Sequence, residues 1–416
     1  MSTQLFPQRL HQRLRFALPL ICAGLLGWHG VTALAAPFTP SNDAEVVERL
    51  PGRASDPATR RVDSLRKQLA ARPEDPALRT EIARRYFDMA MAQGDPRYVG
   101  YASAAIAPLA QAKLDNAASA DYAMVRGLIQ QFSHEFEPAL VSLQKASQLQ
   151  PGSPEPMLWR TAIFMVQARY EDAAAECKRV ATLSATQADP LLAQGCIAYV
   201  EASTGQLDAA FVKLAQAVKG ATQSSAELLL WQNTRLAEMA WRLQRYEVAE
   251  NYFKGALKLG VTDQFLLGAY ADFLLARQRP AEVMSLLADW ERSDILLLRL
   301  ALAGKASGDK RAADWAAQLR DRFQAAALRG DRLHEQEAAR FELDIEGHAD
   351  KALALASANY AVQKEPRDAE ILMRAANASL QPKAAQPALA WLRSSRYEDP
   401  VMSKLAAELA ALGAAR

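Results

Sequence analysis

Only three cysteines occur in the 416-residue sequence, at positions 22, 177 and 196. None forms a closely spaced pair, which excludes zinc ribbons and small disulfide-framed scaffolds. Glycine (19) and proline (20) are too few for a low-complexity or collagen-like chain. Neither sign of charge dominates, with 49 basic and 47 acidic residues. Residues 1–35 hold three of the arginines and no acid, so the remainder carries 46 basic against 47 acidic groups. The basic runs Arg60-Arg61 and Arg84-Arg85 are too short to track phosphates, which argues against a nucleic-acid partner. No stretch alternates at period two for long enough to suggest a sheet.

Catalytic constellations are equally sparse. His134-Glu135 and His334-Glu335 begin like a zinc-protease motif but lack the second histidine. Gly304-Lys305 has neither the upstream glycine nor the following hydroxyl of a phosphate-binding loop. There is no G-x-S-x-G, so convergent nucleophile, base and oxyanion donors cannot be assembled from motifs. No enzyme, metal site or cofactor is expected.

The amino terminus holds the strongest local signal. Arg9, Arg13 and Arg15 precede an apolar run from Phe16 to Trp28, and Ala33-Leu34-Ala35 offers small residues for cleavage. This is the pattern of a secretory leader. At 13 residues the run is short of the ~20 that a spanning helix needs. The expectation is a leader at 1–35, a mature chain starting near Ala36 in the periplasm, and no transmembrane segment in it. Pro37, Pro40, Pro51 and Pro57 mark residues 36–58 as an extended arm.

Half of the sequence is hydrophobic, and its order has a beat. Gly127, Ala139, Leu143 and Ala146 return 34 residues later as Thr161, Ala173, Cys177 and Val180, with Phe136 and Tyr170 three residues before the alanines. Further copies centre on Ala210, Ala249, Val283, Ala313, Ala352 and Ala388, at steps of 37, 39, 34, 30, 39 and 36 residues from Ala173 onward. Small residues at these spacings let two antiparallel helices approach closely. The length and the spacing resemble the tetratricopeptide-repeat family. The Glu48-Arg-Leu-Pro and Gly94-Asp-Pro-Arg-Tyr segments look like those of exported bacterial repeat proteins. The resemblance implies an all-α superhelical solenoid of about eight to nine antiparallel helix pairs. An atypical pair or cap is expected at 59–119, well-formed repeats at 120–290, and degenerate repeats with a capping helix at 291–416. Arg320 and Arg340 stand where the repeats want small or apolar residues.

In that family the first helix of each unit lines the concave face, where peptides or partner helices are held. The resemblance therefore places Met124, Leu128, Phe132, Met165, Tyr199, Trp231, Glu238, Trp241, Arg242, Asp272 and Lys305 on a docking groove. Trp241, Arg242, Glu238 and Asp272 are expected as one patch, since aromatics and arginine favour interface hot spots. Packing of Trp231 and Trp241 between units is the other reading. Cys177 and Cys196 fall on helices that pack together in this architecture. Either they are bridged, or they are two small buried hydrophobes.

The expected function is a non-enzymatic, protein-binding scaffold or adaptor docking protein or peptide partners of the cell envelope. The alternative is a permanent structural subunit of an envelope secretion, polysaccharide-export or assembly complex. A metallochaperone or enzyme is the third reading. Oligomeric state is not specified by any of these features.

Overall fold

The computed structural model describes residue 42, residues 56–184 and residues 189–414. The leader, its cleavage site and most of the arm lie outside them. The described residues hold twenty α-helices and no strand. Helix α1 (Pro57–Ala71) precedes nine helix pairs. The first three pairs are α2 (Pro76–Gln93) with α3 (Arg97–Ile106), α4 (Asn116–Phe132) with α5 (Phe136–Leu149), and α6 (Glu155–Val166) with α7 (Tyr170–Ser184). The next three are α8 (Pro190–Ser203) with α9 (Leu207–Gly220), α10 (Ala226–Arg242) with α11 (Tyr246–Leu257), and α12 (Gln264–Ala276) with α13 (Pro280–Leu286). Then come α14 (Asp294–Ser307) with α15 (Ala312–Leu328), α16 (Glu335–Phe341) with α17 (Ala349–Tyr360), and α18 (Pro366–Ala378) with α19 (Gln386–Ser395). Helix α20 (Pro400–Ala414) covers the last pair. Within the atypical pair expected at 59–119, α3 gives way at Pro108 to a 3₁₀ turn, Ala107–Gln111.

Local chemistry sets these boundaries. Asp75, Asp115, Asp189, Ser225, Asp263 and Ser293 each accept backbone N–H bonds at a helix start, satisfying donors the helix leaves open. Between the helices of every pair stands one residue at positive φ. In order these are Gly94, His134, Ala168, Gly205, Gln244, Gln278, Gly308, Gly347 and Leu380. The next N–H usually reaches back five residues, as Arg169 does to the Phe164 carbonyl (2.7 Å) and Arg245 to Ala240 (2.8 Å). That is a Schellman stop, repeated at the elbows. The alanines of the beat do what their size allows. Ala139, Ala173, Ala210 and Ala249 are fully buried, and Gly127 admits the Leu143 side chain so closely that an added Cβ would stand 2.7 Å from it.

The apolar core comes in three long pieces rather than one. One runs from Phe87 to Val200, a second from Leu191 to Phe341, and a third from Ala339 to Leu409. The last two divide within α16, where Phe341 joins the second piece, edge-on to Phe323 of α15 at 5.6 Å, and Ala339 joins the third. Charge runs alongside this junction. Arg299, 2 % exposed, and Arg340 both bind Asp272 (2.6 and 2.7 Å), while Arg374 binds Asp344 at 2.5 Å. Arg340 thus weakens the repeat pattern because it answers Asp272 across the joint. Arg320 stays on the surface and pairs with Glu346 at 2.7 Å.

The stack winds until it meets itself. A Cβ on Gly94 would stand 2.7 Å from Ser293 Oγ and closer still to Gln264. His134 Nδ1 lies 3.4 Å from Gln363 Nε2, and Lys364 N–H donates to the Val166 carbonyl (2.7 Å). Trp391 Nε1 donates to Tyr170 Oη (2.8 Å), and Leu207 N–H to a carboxylate oxygen of Glu398 (3.0 Å). Arg242 Nε donates to the Glu398 carbonyl (2.9 Å) with its guanidinium 3.7 Å from the Tyr397 ring centre. Elbows of the first five pairs therefore form a seam with segments that begin the later helices.

Gly94 tests one end of the seam. Its φ of +67° strains any side chain, and the Gln264 and Ser293 side chains leave no room. Gly94→Ala should lower unfolding free energy by about 1–3 kcal/mol. An unchanged urea midpoint would show that this contact does not form.

Candidate functional site: an enclosed inner face

The first helices of the pairs turn one side inward, and the later turns of the chain cover it. Tyr199 on α8 carries the Arg235 guanidinium of α10 over its ring at 4.0 Å, a cation–π contact. Arg235 also binds Glu238 one turn on, at 2.9 Å. From the far side, the start of α18 brings its N-cap Glu365 and Arg367 into the same electrostatic neighbourhood. These side chains lie deep yet keep some solvent, with Arg235 25 % and Glu238 30 % exposed. This partly solvated strip of alternating charge is the polar lumen of the coil.

Electrostatics keep its carboxylates charged at one end and resist charge at the other. Burial alone would raise Asp272, but Arg299 and Arg340 outweigh it and hold the carboxyl at about 2. Glu337 is likewise held at about 2 against burial by His334, whose own pKa is raised in return. Burial and the Glu365 carboxylate push Asp368 upward, although Asn359 and the Glu365 N–H both donate to it (2.9 Å each). Burial lowers His134, and His334 adds to this.

The eleven expected groove residues separate on this geometry. Tyr199 and Glu238 belong to the Arg235 cluster, whereas Asp272 joins Arg299 and Arg340 rather than Trp241 and Arg242. Met124, Leu128 and Met165 are 9 %, 0 % and 4 % exposed and belong to the first core piece, so they are corrected from groove to core. Their helices bury them because the aromatic cluster Phe87–Phe132–Trp159 draws that face inward, with ring centres 6.5 and 5.7 Å from Phe87. Phe132 itself is half-buried there. Trp241 packs edge-on to Phe273 at 5.6 Å against the second core piece, as the reading of packing between units has it. Trp231 is half-buried near the start of α10. Arg242 is occupied by Glu398, Tyr397 and the Ala202 carbonyl (2.8 Å). Lys305 donates to the Asp344 and Ile345 carbonyls (2.7 and 2.9 Å), ending the π-turn Glu342–Glu346.

Arg235, Glu337, Arg340, Glu365 and Arg367 were not expected at the site. Only Arg235 carried a local signal, its three-residue spacing to Glu238. Cys177 and Cys196 are joined in a disulfide, with Cα atoms 5.5 Å apart. Beside the seam a groove of about 620 Å³ opens between Leu243, Leu392, Arg396 and Tyr397. Among the described residues no acid, histidine or cysteine cluster is arranged to hold a metal ion. No described helix is long and apolar enough to cross a membrane.

No family model and no curated protein matches the chain. Solved structures similar in fold include a Rap protein complexed with competence and sporulation factor, at 13 % identity and a TM-score of 0.45, covering 84 % of this chain and 99 % of that one. Yeast Tom70 is similar at 13 % identity and a TM-score of 0.41, over 86 % of this chain and 85 % of its own. A tetratricopeptide-repeat protein from Parabacteroides merdae is similar at 15 % and 0.37, over 62 % and 98 %. The helix pairs, their left-handed elbows and their buried alanines define the fold by themselves: the chain is an all-α solenoid of tetratricopeptide-like helix pairs.

Proposed function

We propose that this chain is a non-enzymatic scaffold of the bacterial periplasm that holds an extended, polar segment of a cell-envelope protein on its inner face. The observation that carries the reading is the lumen itself. Tyr199, Arg235, Glu238, Glu365 and Arg367 place donors, acceptors and one aromatic face along a single path. A polar peptide backbone with side chains of both signs matches such a lining, and an apolar helix does not, since burying it there would leave these charges unpaired.

Two measurements test it. A photo-crosslinking residue at Glu238 should capture a partner in the native envelope, while one at the outward-facing Val141, 72 % exposed, should not. Equal capture at both, or capture only at Val141, would move docking to the outer face. Fractionation should recover a processed protein, starting near Ala36, in the soluble periplasm. Recovery at full length with the inner membrane would replace the leader by an anchor.

A further inference from the structure

The seam contacts hold the later turns of the chain against the elbows of the earlier ones. We infer that the seam is a latch: the segment from the eighth pair to α20 swings about the polar joint at 329–347, and release of the seam admits a partner to the lumen. The inference rests on the docking reading for its purpose, but its geometry stands on the seam alone.

Three observations support a latch rather than permanent packing. First, the seam is held by few bonds, and those are largely polar. Glu398, Arg242, Lys364, Trp391 and Gln363 supply most of them. Its apolar contribution is small, with Ala168 and Tyr170 touching the third core piece and Val362 touching the first. Second, the second and third core pieces divide within the joint, Phe341 joining one and Ala339 the other, and an ion-pair chain from Arg299 to Arg374 runs across it. Ion pairs and hydrogen bonds can exchange for water as the joint turns, whereas a packed core resists continuous deformation. Third, the joint has the local means to turn. Gly330 and Gly347 adopt φ of +70° and +76° with open space around each, and the intervening π-turn has its last carbonyls held by a lysine side chain. The groove beside Tyr397 lies on the parting line, where the two rims already stand apart.

The latch can be read with no partner present. In the full chain with Cys22→Ser, the Cys177–Cys196 disulfide leaves no free thiol, so Glu238→Cys places one in the lumen. N-ethylmaleimide, which is small, should label that thiol at similar rates whether the seam is intact or weakened. A maleimide on a long polyethylene glycol chain should label it about tenfold faster or more once Arg242→Ala and Glu398→Ala are added, the population shift expected when two hydrogen bonds are lost. Helical content should be unchanged. If the double substitution unfolds the third core piece, Tyr170→Phe removes only the hydroxyl that accepts from Trp391 Nε1 and should give a smaller acceleration of the same kind. Equal rates for the bulky reagent in intact and weakened chains would overturn the latch. Photo-capture at Glu238 reports separately on docking. A working latch without capture would sink the docking reading alone, and capture without any rate change would sink the latch alone.

Discussion

Asp272→Ala should destabilise the protein by about 3–5 kcal/mol, the usual result of removing one partner from a buried ion pair. Arg299 is the reason. Its side chain is 3 % exposed, and apart from Asp272 it has only the Ile295 carbonyl of its own helix at 2.8 Å. Without that carboxylate its charge would remain in the interior with only the Glu337 carboxylate, with which it makes no hydrogen bond, to offset it. Replacing both members, Asp272→Leu with Arg299→Met, should recover most of the loss, since an apolar pair of similar volume can substitute for a buried ion pair. If the double replacement is as unstable as the single one, packing rather than charge governs the site.

The same groups set the pH dependence. Asp272 and Glu337 are held at about 2, below the ordinary 3.8 and 4.5. Their stabilisation is complete above the unfolded values and is lost as pH falls from about 4.5 toward 2. Asp368 and His334, raised in the folded state, act in the other direction. Their contribution is present in mild acid and fades as pH rises through their folded values. His134, lowered on folding, opposes them by losing stability below its ordinary 6.5. Thermal melting across pH should fall steeply below about 4.5, and Asp272→Ala should blunt that fall.

Reduction of the Cys177–Cys196 bridge is expected to have the second-largest effect. The bond joins α7 to α8 and closes a loop of 19 residues that includes the connection at 185–188. By loop entropy that is worth on the order of 3 kcal/mol. Both sulfurs are fully buried against Thr161 and the first core piece, so reductant should act only on the unfolding protein. Cys177→Ser with Cys196→Ser should melt several degrees lower than the oxidised chain, and reductant should not change it further. An oxidised chain that melts no higher than this variant would show the bridge to be without influence on stability.

What the sequence revealed and what it hid follow from range. The alanines of the beat and the elbow after each first helix are local, separated by a dozen residues or fewer, and their size and spacing suffice to identify the pairs. The disulfide was half legible, because adjacency of α7 and α8 follows from the stack, while bond formation depends on the orientation of two side chains. The seam was not legible. Leu207 and Glu398 stand 191 residues apart, and neither residue type is unusual in its local setting. Trp241 stayed open between two readings for a related reason. Helical phase puts it beside Arg242, but only the position of Phe273 on the next pair decides that the ring packs inward. Arg340 read as damage to a repeat until Asp272, 68 residues away, supplied its counterpart.

The seam changes what it means to call these units repeats. In an open stack each unit touches only its neighbours, and one can be cut out with local consequences. Here the elbow at Gly205 is pressed by Arg396, whose Cβ would lie 2.9 Å from an added methyl, and that at Gly94 by Ser293 and Gln264, whereas His134 and Ala168 keep side chains at the same backbone position. Each unit is therefore matched to a particular counterpart one winding later. Excising residues 120–151 would not merely shorten the coil. The one elbow upstream of the excision would slip by one place against the winding above it, setting Gly94 where His134 had been. The coil would keep its helices and lose its closure, as a screw thread does when one pitch is removed from only one side of the nut.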